Sequence, residues 1–162
     1  MTFTIPAMAL AAALGLMMLA AALSDLRTRN IANGLNTGMA LLAVPYWFAI
    51  GLSPWPDMAW QLAFAFMVFA VFVGLFMIGG MGGGDVKMIG AVALWASPLM
   101  LLPMLMVMAI CGGALSLAML IHKYWRGATE PPEVPYGVAI AAAGLWMLHQ
   151  QYLNQFTFNP SA

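Results

Sequence analysis

Long apolar segments are the feature that most constrains how this chain can fold. Residues 5–24, 35–52 and 58–78 each approach or reach the length of about 20 apolar residues that a helix needs to cross the hydrocarbon of a bilayer. Of the 162 residues, 64% are hydrophobic and only 6% are charged, which is too few to cover a soluble domain. The sequence therefore predicts an integral membrane protein with a single transmembrane domain over residues 1–162.

A further apolar segment, residues 86–121, is too long for one crossing. Pro98 and Pro103 interrupt it, and proline removes a helix hydrogen bond and clashes with the preceding turn. We therefore predict an all-α fold with six transmembrane helices, in which a glycine-rich loop precedes a short fourth helix. The last three helices are expected at about 86–97, 99–121 and 136–153.

Charge placement predicts the orientation of these helices. If the six spans alternate, all five basic residues fall on one side, which the positive-inside rule makes cytoplasmic: Arg27, Arg29, Lys87, Lys123 and Arg126. A five-span alternative would place Lys87 and Lys123 on opposite sides and is weaker. Three tryptophans are then expected near the outer interface, as in an aromatic belt: Trp55, Trp60 and Trp95.

Two aspartates are the candidate catalytic residues. Asp85 lies in GGMGGGDVKM (79–88), and Asp25 ends the first span in LSDLRTRNIANGLN (23–36). The predicted topology brings both to the cytoplasmic side, and an ionisable side chain at a membrane segment indicates a functional site. Paired carboxylates cannot easily both ionise, so one can hold a proton while the other activates water. This pattern predicts acid–base hydrolysis of an amide without a covalent intermediate.

The glycines before Asp85 are expected to adopt backbone conformations closed to other residues and to leave room for an extended substrate: Gly82, Gly83 and Gly84. A protease at the membrane must hold its substrate unwound, because a peptide bond inside a helix is shielded. Two structural alternatives fit the same residues. Asp85 can be a helix N-cap after a tight turn, and Asp25 can pair with Arg29 four residues later.

At these residues the sequence resembles the type IV prepilin peptidases. Gly82, Gly84 and Asp85 match the GxGD signature of intramembrane aspartyl proteases, and GGGDVK is its usual form in that family. SDLRTRNIAN resembles the family's stretch of an aspartate, basic residues and Ile-Pro-Asn, in which Asn33 is the motif asparagine. VPYGVAIAAAG (134–144) resembles the segment that enters the last helix. The departures are Ala32 in place of proline, and Gly137 and Val138 within a usually proline-rich pattern.

The resemblance implies an aspartic endopeptidase of the bacterial inner membrane with Asp25 and Asp85 as its catalytic pair. Its expected substrates are prepilins or pseudopilins, whose short basic leader is removed at the cytoplasmic face from an apolar N-terminal helix. Larger members add a four-cysteine zinc domain and methylate the product. With Cys111 as its only cysteine, this chain is similar to the peptidase-only form found with tight-adherence (Flp) pili, so we expect no cofactor and no metal.

Three further charged residues are weaker candidates for contacts with the substrate. Lys87 follows Asp85 by two positions, so on a helix it points to the opposite side and is expected to be an interfacial cation. Glu130 and Glu133 lie in a polar loop and are expected to attract the basic leader.

A formal net charge of zero offers no basic surface for nucleic acid. The alternative function is a non-catalytic membrane subunit or a small transporter of a secretion or pilus assembly system.

Overall fold

The computed structural model describes residues 4–126 and 134–158, with side chains up to Gln151. Within these residues there is no strand, so the predicted all-α fold is confirmed. An irregular turn, Pro54–Met58, in which Trp55 has extended dihedral angles, precedes the third helix. The six α-helices are α1 (Ile5–Thr28), α2 (Asn33–Ala49), α3 (Ala59–Met77), α4 (Gly83–Ala93), α5 (Pro98–Arg126) and α6 (Tyr136–Phe158).

Three helical segments of the described chain are long and apolar enough to cross a membrane: Ile5–Thr28, Pro54–Met77 and Pro98–Arg126. Most of their surface is not buried inside the protein. Large apolar side chains are exposed along them, among them Leu16, Phe66 and Ile110. Soluble monomers rarely expose contiguous apolar surface on this scale. These helices and their exposed surface identify a membrane protein.

The short helix α4 occupies the middle of the bundle. It packs against α2, α3 and α6, while α1 packs against α2 and α6, and α5 packs mainly against α6. The inward side chains of α4 are buried: Val86, Met88, Ile89 and Val92. Because α4 is surrounded in this way, the residues at its N-terminus are held against the ends of neighbouring helices.

The boundaries of α4 differ from those predicted. The helix begins at Gly83 and ends at Ala93, instead of spanning about 86–97, because Gly83 and Gly84 adopt helical conformations and form its first turn. The next helix starts at Pro98 and continues through Pro103. Pro98 costs little at the first helical position, where an N–H would have no intrahelical acceptor. Pro103 lies inside the helix and removes one intrahelical hydrogen bond without ending the helix.

Trp95, which the sequence pattern places near the outer interface, is buried just after the C-terminal end of α4. Only 3% of its surface is exposed, and its Nε1 donates a hydrogen bond to the Met39 carbonyl at 2.9 Å. Its ring also contacts that of Tyr46, with centroids 4.6 Å apart. The short α4 ends against α2, so Trp95 turns into the core, and its depth in the membrane stays a prediction.

The C-terminal end of α4 is fixed by side chains from neighbouring helices. Gln61 Nε2 lies within hydrogen-bond distance of three carbonyls, at 3.0, 3.2 and 2.8 Å: Ala93, Leu94 and Ala96. Trp47 Nε1 donates a further hydrogen bond to the Leu94 carbonyl at 2.9 Å. The last carbonyls of a helix have no partner within it, so these donors supply what the α4 backbone lacks.

We expect Gln61→Leu to lower the free energy of unfolding by about 1–3 kcal/mol, because it leaves part-buried carbonyls without a donor. The measurement is thermal or denaturant unfolding of the full-length protein in detergent. Met67→Leu on the same helix is the control, since Met67 is exposed and that substitution is expected to change stability by less than about 0.5 kcal/mol. Equal stability of the two variants would show that Gln61 does not anchor α4.

Candidate active site

Asp25 lies in the last turn of α1 and is buried, with 6% of its surface exposed. Its Oδ2 accepts a hydrogen bond from the backbone N–H of Gly137 at 2.9 Å. Gly137 is the second residue of α6, so the carboxyl group meets the N-terminus of that helix. The unpaired N–H groups and the dipole of a helix N-terminus stabilise a negative charge. The buried carboxyl group therefore has a dedicated polar partner.

Arg29 follows Asp25 by one helical turn, as the ion-pair alternative required. Among the described residues, however, no ion pair joins their side chains. Arg29 instead ends α1 in a left-handed conformation, with φ of 53°, and its backbone N–H donates to the Asp25 carbonyl at 3.0 Å. Its positive charge acts on the Asp25 carboxyl group only at longer range.

Asp85 is the third residue of α4 and is half-buried. Gly82 is the N-cap of the helix, and its backbone N–H lies close to the Asp85 carboxyl group and stabilises its charge. An acidic side chain that reaches back from the third helical position to the N-cap is half of a capping box. Asp85 thus contributes to capping from inside the first turn, not from the N-cap position that the structural alternative assumed.

The two aspartates meet in one cleft of about 420 Å³. They come from segments sixty positions apart in the sequence, and the charge of Asp25 acts directly on Asp85. The remaining walls are the loop between α3 and α4, the end of α1 and the start of α6: Arg29, Gly79, Gly80, Met81, Gly82, Val134 and Tyr136. The cleft therefore combines two carboxyl groups with a segment of irregular backbone.

Ile31 packs between α4 and α6 beside the cleft. It is 3% exposed, and its side chain lies against Gly84 of α4 and Gly137 of α6. A Cβ atom added at Gly137 would lie 2.8 Å from Ile31 Cδ1 and 2.8 Å from Asp25 Oδ2. Both distances are shorter than real contacts of a Cβ atom, so a larger residue at position 137 would displace the ends of the Ile31 and Asp25 side chains.

Gly137 is the residue of the site that the sequence analysis missed. It was considered there only as a departure from a family pattern. The available signal was its position directly after Pro135 and Tyr136, at the start of the last helix. A glycine is a poor helix former and calls for a packing or functional reason at such a place.

The role predicted for the glycines before Asp85 is partly corrected. None of the three has a positive φ, and the left-handed conformation in this loop belongs to Gly79, at 75°. All three are instead close to side chains, and the neighbour of Gly84 is Ile31. A Cβ at Gly82 would lie 3.0 Å from Asp85 Oδ2, and one at Gly83 would lie 3.4 Å from Phe76. Close packing explains these glycines better than backbone freedom does.

Asn33 and Lys87 lie together, but outside the cleft of the aspartates. Lys87 Nζ donates a hydrogen bond to Asn33 Oδ1 at 2.9 Å, and both line a separate groove beside α4. The other two predicted contacts, Glu130 and Glu133, lie outside the described residues. In the described part of the chain, no group of three or more histidine, cysteine, aspartate or glutamate residues could hold a metal ion.

Comparison with known proteins identifies one family. The sequence profile of the Type IV leader peptidase family matches residues 12–117, a segment that includes both aspartates and the loop between α3 and α4. No curated protein and no solved structure gives a significant match. The family match extends over more than half of the 162 residues. On this evidence, the chain belongs to the Type IV leader peptidase family.

Proposed function

We propose that this protein is an aspartic endopeptidase that removes the short basic leader of prepilins or pseudopilins, with Asp25 and Asp85 as its catalytic pair. Membership of the Type IV leader peptidase family supports peptidase activity in general. The observation that carries the more specific proposal is that two aspartates from distant segments line one cleft within range of each other's charge.

The proposed reaction is direct hydrolysis of a peptide bond by water. One carboxylate takes a proton from water as the oxygen attacks the carbonyl carbon, and the other carboxyl group, protonated at the start, donates to the carbonyl oxygen or the leaving nitrogen. The C–N bond then breaks, which leaves a new carboxylate and a new amine. The two aspartates act as a unit, so neither is assigned the role of acid or base.

The surroundings of the pair suit this chemistry. The Gly137 N–H holds Asp25, and the Gly82 N–H lies close to Asp85, so both carboxyl groups are oriented before substrate arrives. Such preorganisation is a major part of catalysis by positioned groups. The loop over residues 79–82 exposes irregular backbone to the cleft, which an extended substrate can approach. Irregular backbone at membrane depth is tolerated where it lines a cavity.

We also propose that the cleft faces the cytoplasm from the inner membrane and that all six helices span it. The basic residues support this orientation. Arg27, Lys123 and Arg126 lie in the last turns of α1 and α5, and Lys87 lies near the start of α4. An excess of basic residues marks the cytoplasmic side of membrane proteins.

The substrates proposed within this class are Flp prepilins, a choice that rests on the resemblance in sequence alone. We further propose that Glu130 and Glu133 attract the basic leader, because opposite charges raise the local concentration of a charged substrate. Reversal of both charges is expected to slow leader processing, most strongly at low salt.

The test is co-expression of the full-length chain with candidate prepilins that contain a basic leader, a glycine and an apolar helix. Mass spectrometry is expected to show a loss equal to the mass of the leader, only in cells that express the peptidase. A prepilin with its glycine replaced by a bulky residue serves as the control. If the protein inserts in the membrane and every prepilin keeps its leader, the peptidase proposal is wrong and the non-catalytic alternatives gain support.

A further inference from the structure

A lateral groove of about 460 Å³ runs beside α4, between α2 and α3. Its volume falls within the roughly 300–1,000 Å³ of small-molecule sites. One end is polar, with Asn33, Asn36 and Lys87, and the rest is largely apolar, with Leu62, Phe66 and Phe69 along α3. The polar end is the end of α4 that carries Asp85, but the groove and the catalytic cleft are distinct.

The charge at the polar end has no acidic partner among the described residues. Lys87 donates a hydrogen bond to Asn33, but Asp25 and Asp85 line the other cleft, and Asp57 is bound by Ser53 at the Pro54–Met58 turn. An ammonium group with a neutral partner beside an apolar wall favours an anionic ligand. It disfavours the basic leader of the proposed substrate, because like charges repel.

Asn36 provides a second, independent indication of a ligand. Only 5% of its surface is exposed, and its Nδ2 lies 3.4 Å from the Gly84 carbonyl, in position to donate to it. Its Oδ1 is buried and has no hydrogen-bond partner within the described structure. A buried acceptor left unpaired is costly and uncommon. Asn36 lines the groove, and rotation of its amide group toward the groove lets a donor on a ligand reach this oxygen, which is otherwise inaccessible.

These requirements together describe a phospholipid. The site offers a cation for a phosphate, a buried acceptor for a hydroxyl donor, and an apolar wall for an acyl chain. A phosphatidylglycerol-type headgroup carries both an anionic phosphate and hydroxyl groups. The exposed positions of Phe66 and Leu62 on α3 place the wall where lipid chains can reach it.

We propose that the lateral groove binds one anionic phospholipid of the phosphatidylglycerol type. The phosphate lies against Lys87, a headgroup hydroxyl donates to Asn36 Oδ1, and an acyl chain packs along Leu62, Phe66 and Phe69. Asn36 also faces the Gly84 carbonyl, next to Asp85. Lipid binding does not depend on the proposed peptidase activity and can be measured without it.

The experiment is native mass spectrometry of the delipidated full-length protein in detergent, titrated with phosphatidylglycerol, phosphatidylethanolamine or phosphatidylcholine with identical acyl chains. Phosphatidylglycerol is expected to bind about fivefold more tightly than phosphatidylcholine, the effect of one basic residue on an anionic lipid. Phosphatidylethanolamine, which is zwitterionic but has N–H donors, is expected to lie between them.

Variants test each contact separately. Lys87→Gln is expected to remove the preference for phosphatidylglycerol, whereas Arg126→Gln, which removes a charge outside the groove, keeps it. Asn36→Leu is expected to abolish the difference between phosphatidylethanolamine and phosphatidylcholine. Equal binding of all three lipids, or an unchanged preference in Lys87→Gln, would overturn the proposal. So would displacement of the lipid by inorganic phosphate, which indicates a free-anion site, or by a leader-bearing peptide, which indicates a substrate site.

Discussion

Leader cleavage is expected to fall by at least about a hundredfold in Asp25→Asn and equally in Asp85→Asn, since a positioned general acid or base contributes about 10²- to 10⁴-fold. Asparagine has nearly the shape of aspartate and retains an oxygen that can accept from the Gly137 or Gly82 N–H. It cannot take a proton from water or give one to a leaving group. Initial rates of prepilin processing by purified protein, followed by mass spectrometry, provide the measurement.

Asp57→Asn is the matched control for both variants. Asp57 is exposed, and its carboxyl group accepts hydrogen bonds from the backbone N–H and the hydroxyl of Ser53. It does not line the cleft that contains Asp25 and Asp85. This variant is expected to cleave at the wild-type rate. Membrane fractionation establishes that all three proteins insert. If either Asp25→Asn or Asp85→Asn processes prepilin as fast as Asp57→Asn, the proposed catalytic pair is wrong.

Gly137→Ala is expected to lower the rate of cleavage by roughly a hundredfold, the cost of displacing a catalytic group by about 1 Å. The new Cβ atom would lie 2.8 Å from Asp25 Oδ2 and 2.8 Å from Ile31 Cδ1. Relief of these contacts requires Asp25 to move from the N–H that holds it. The expected signature is a loss of kcat, with a smaller change in KM, because the acid–base group is displaced while the cleft stays open.

Gly113→Ala is the control for this substitution. Gly113 lies within α5, and a Cβ atom added there would meet nothing within 4 Å. That variant is expected to keep full activity and to gain a little stability, because alanine favours a helix more than glycine does. A double variant, Gly137→Ala with Ile31→Val, removes Cδ1 of Ile31 and separates the two contacts. Full recovery in the double variant would show that pressure from Ile31, not displacement of Asp25 alone, causes the loss.

The fold class could be predicted because its signals are local. Length, hydropathy and proline placement act within single segments, and they correctly indicated an all-helical membrane protein with a short fourth helix. The ends of that helix were wrong by three or four residues. Glycine was assumed to end helical structure, but packing of α4 against α2, α3 and α6 compensates for the low propensity of Gly83 and Gly84.

The candidate site could be predicted in part. Asp25 and Asp85 were identifiable because a carboxyl group at a membrane segment is costly, and the family match includes both. The partners of these aspartates were not identifiable. Gly137 has no charge and no chemical function of its own, and its importance comes from the space between Asp25 and Ile31. The burial of Trp95 was not predicted for a related reason, since the same residue type occurs at lipid interfaces and in cores.

By itself, the sequence determined that this chain is a helical membrane protein of a peptidase family, and it identified the two acids proposed as its reactive groups. Only the tertiary structure decided that they share a cleft, that the N-terminus of α6 holds Asp25, and that Lys87 and Asn33 face a different groove. Hydropathy and charge are properties of each residue in its own segment. Distances between residues far apart in the chain depend on how every helix packs, and no single segment contains that information.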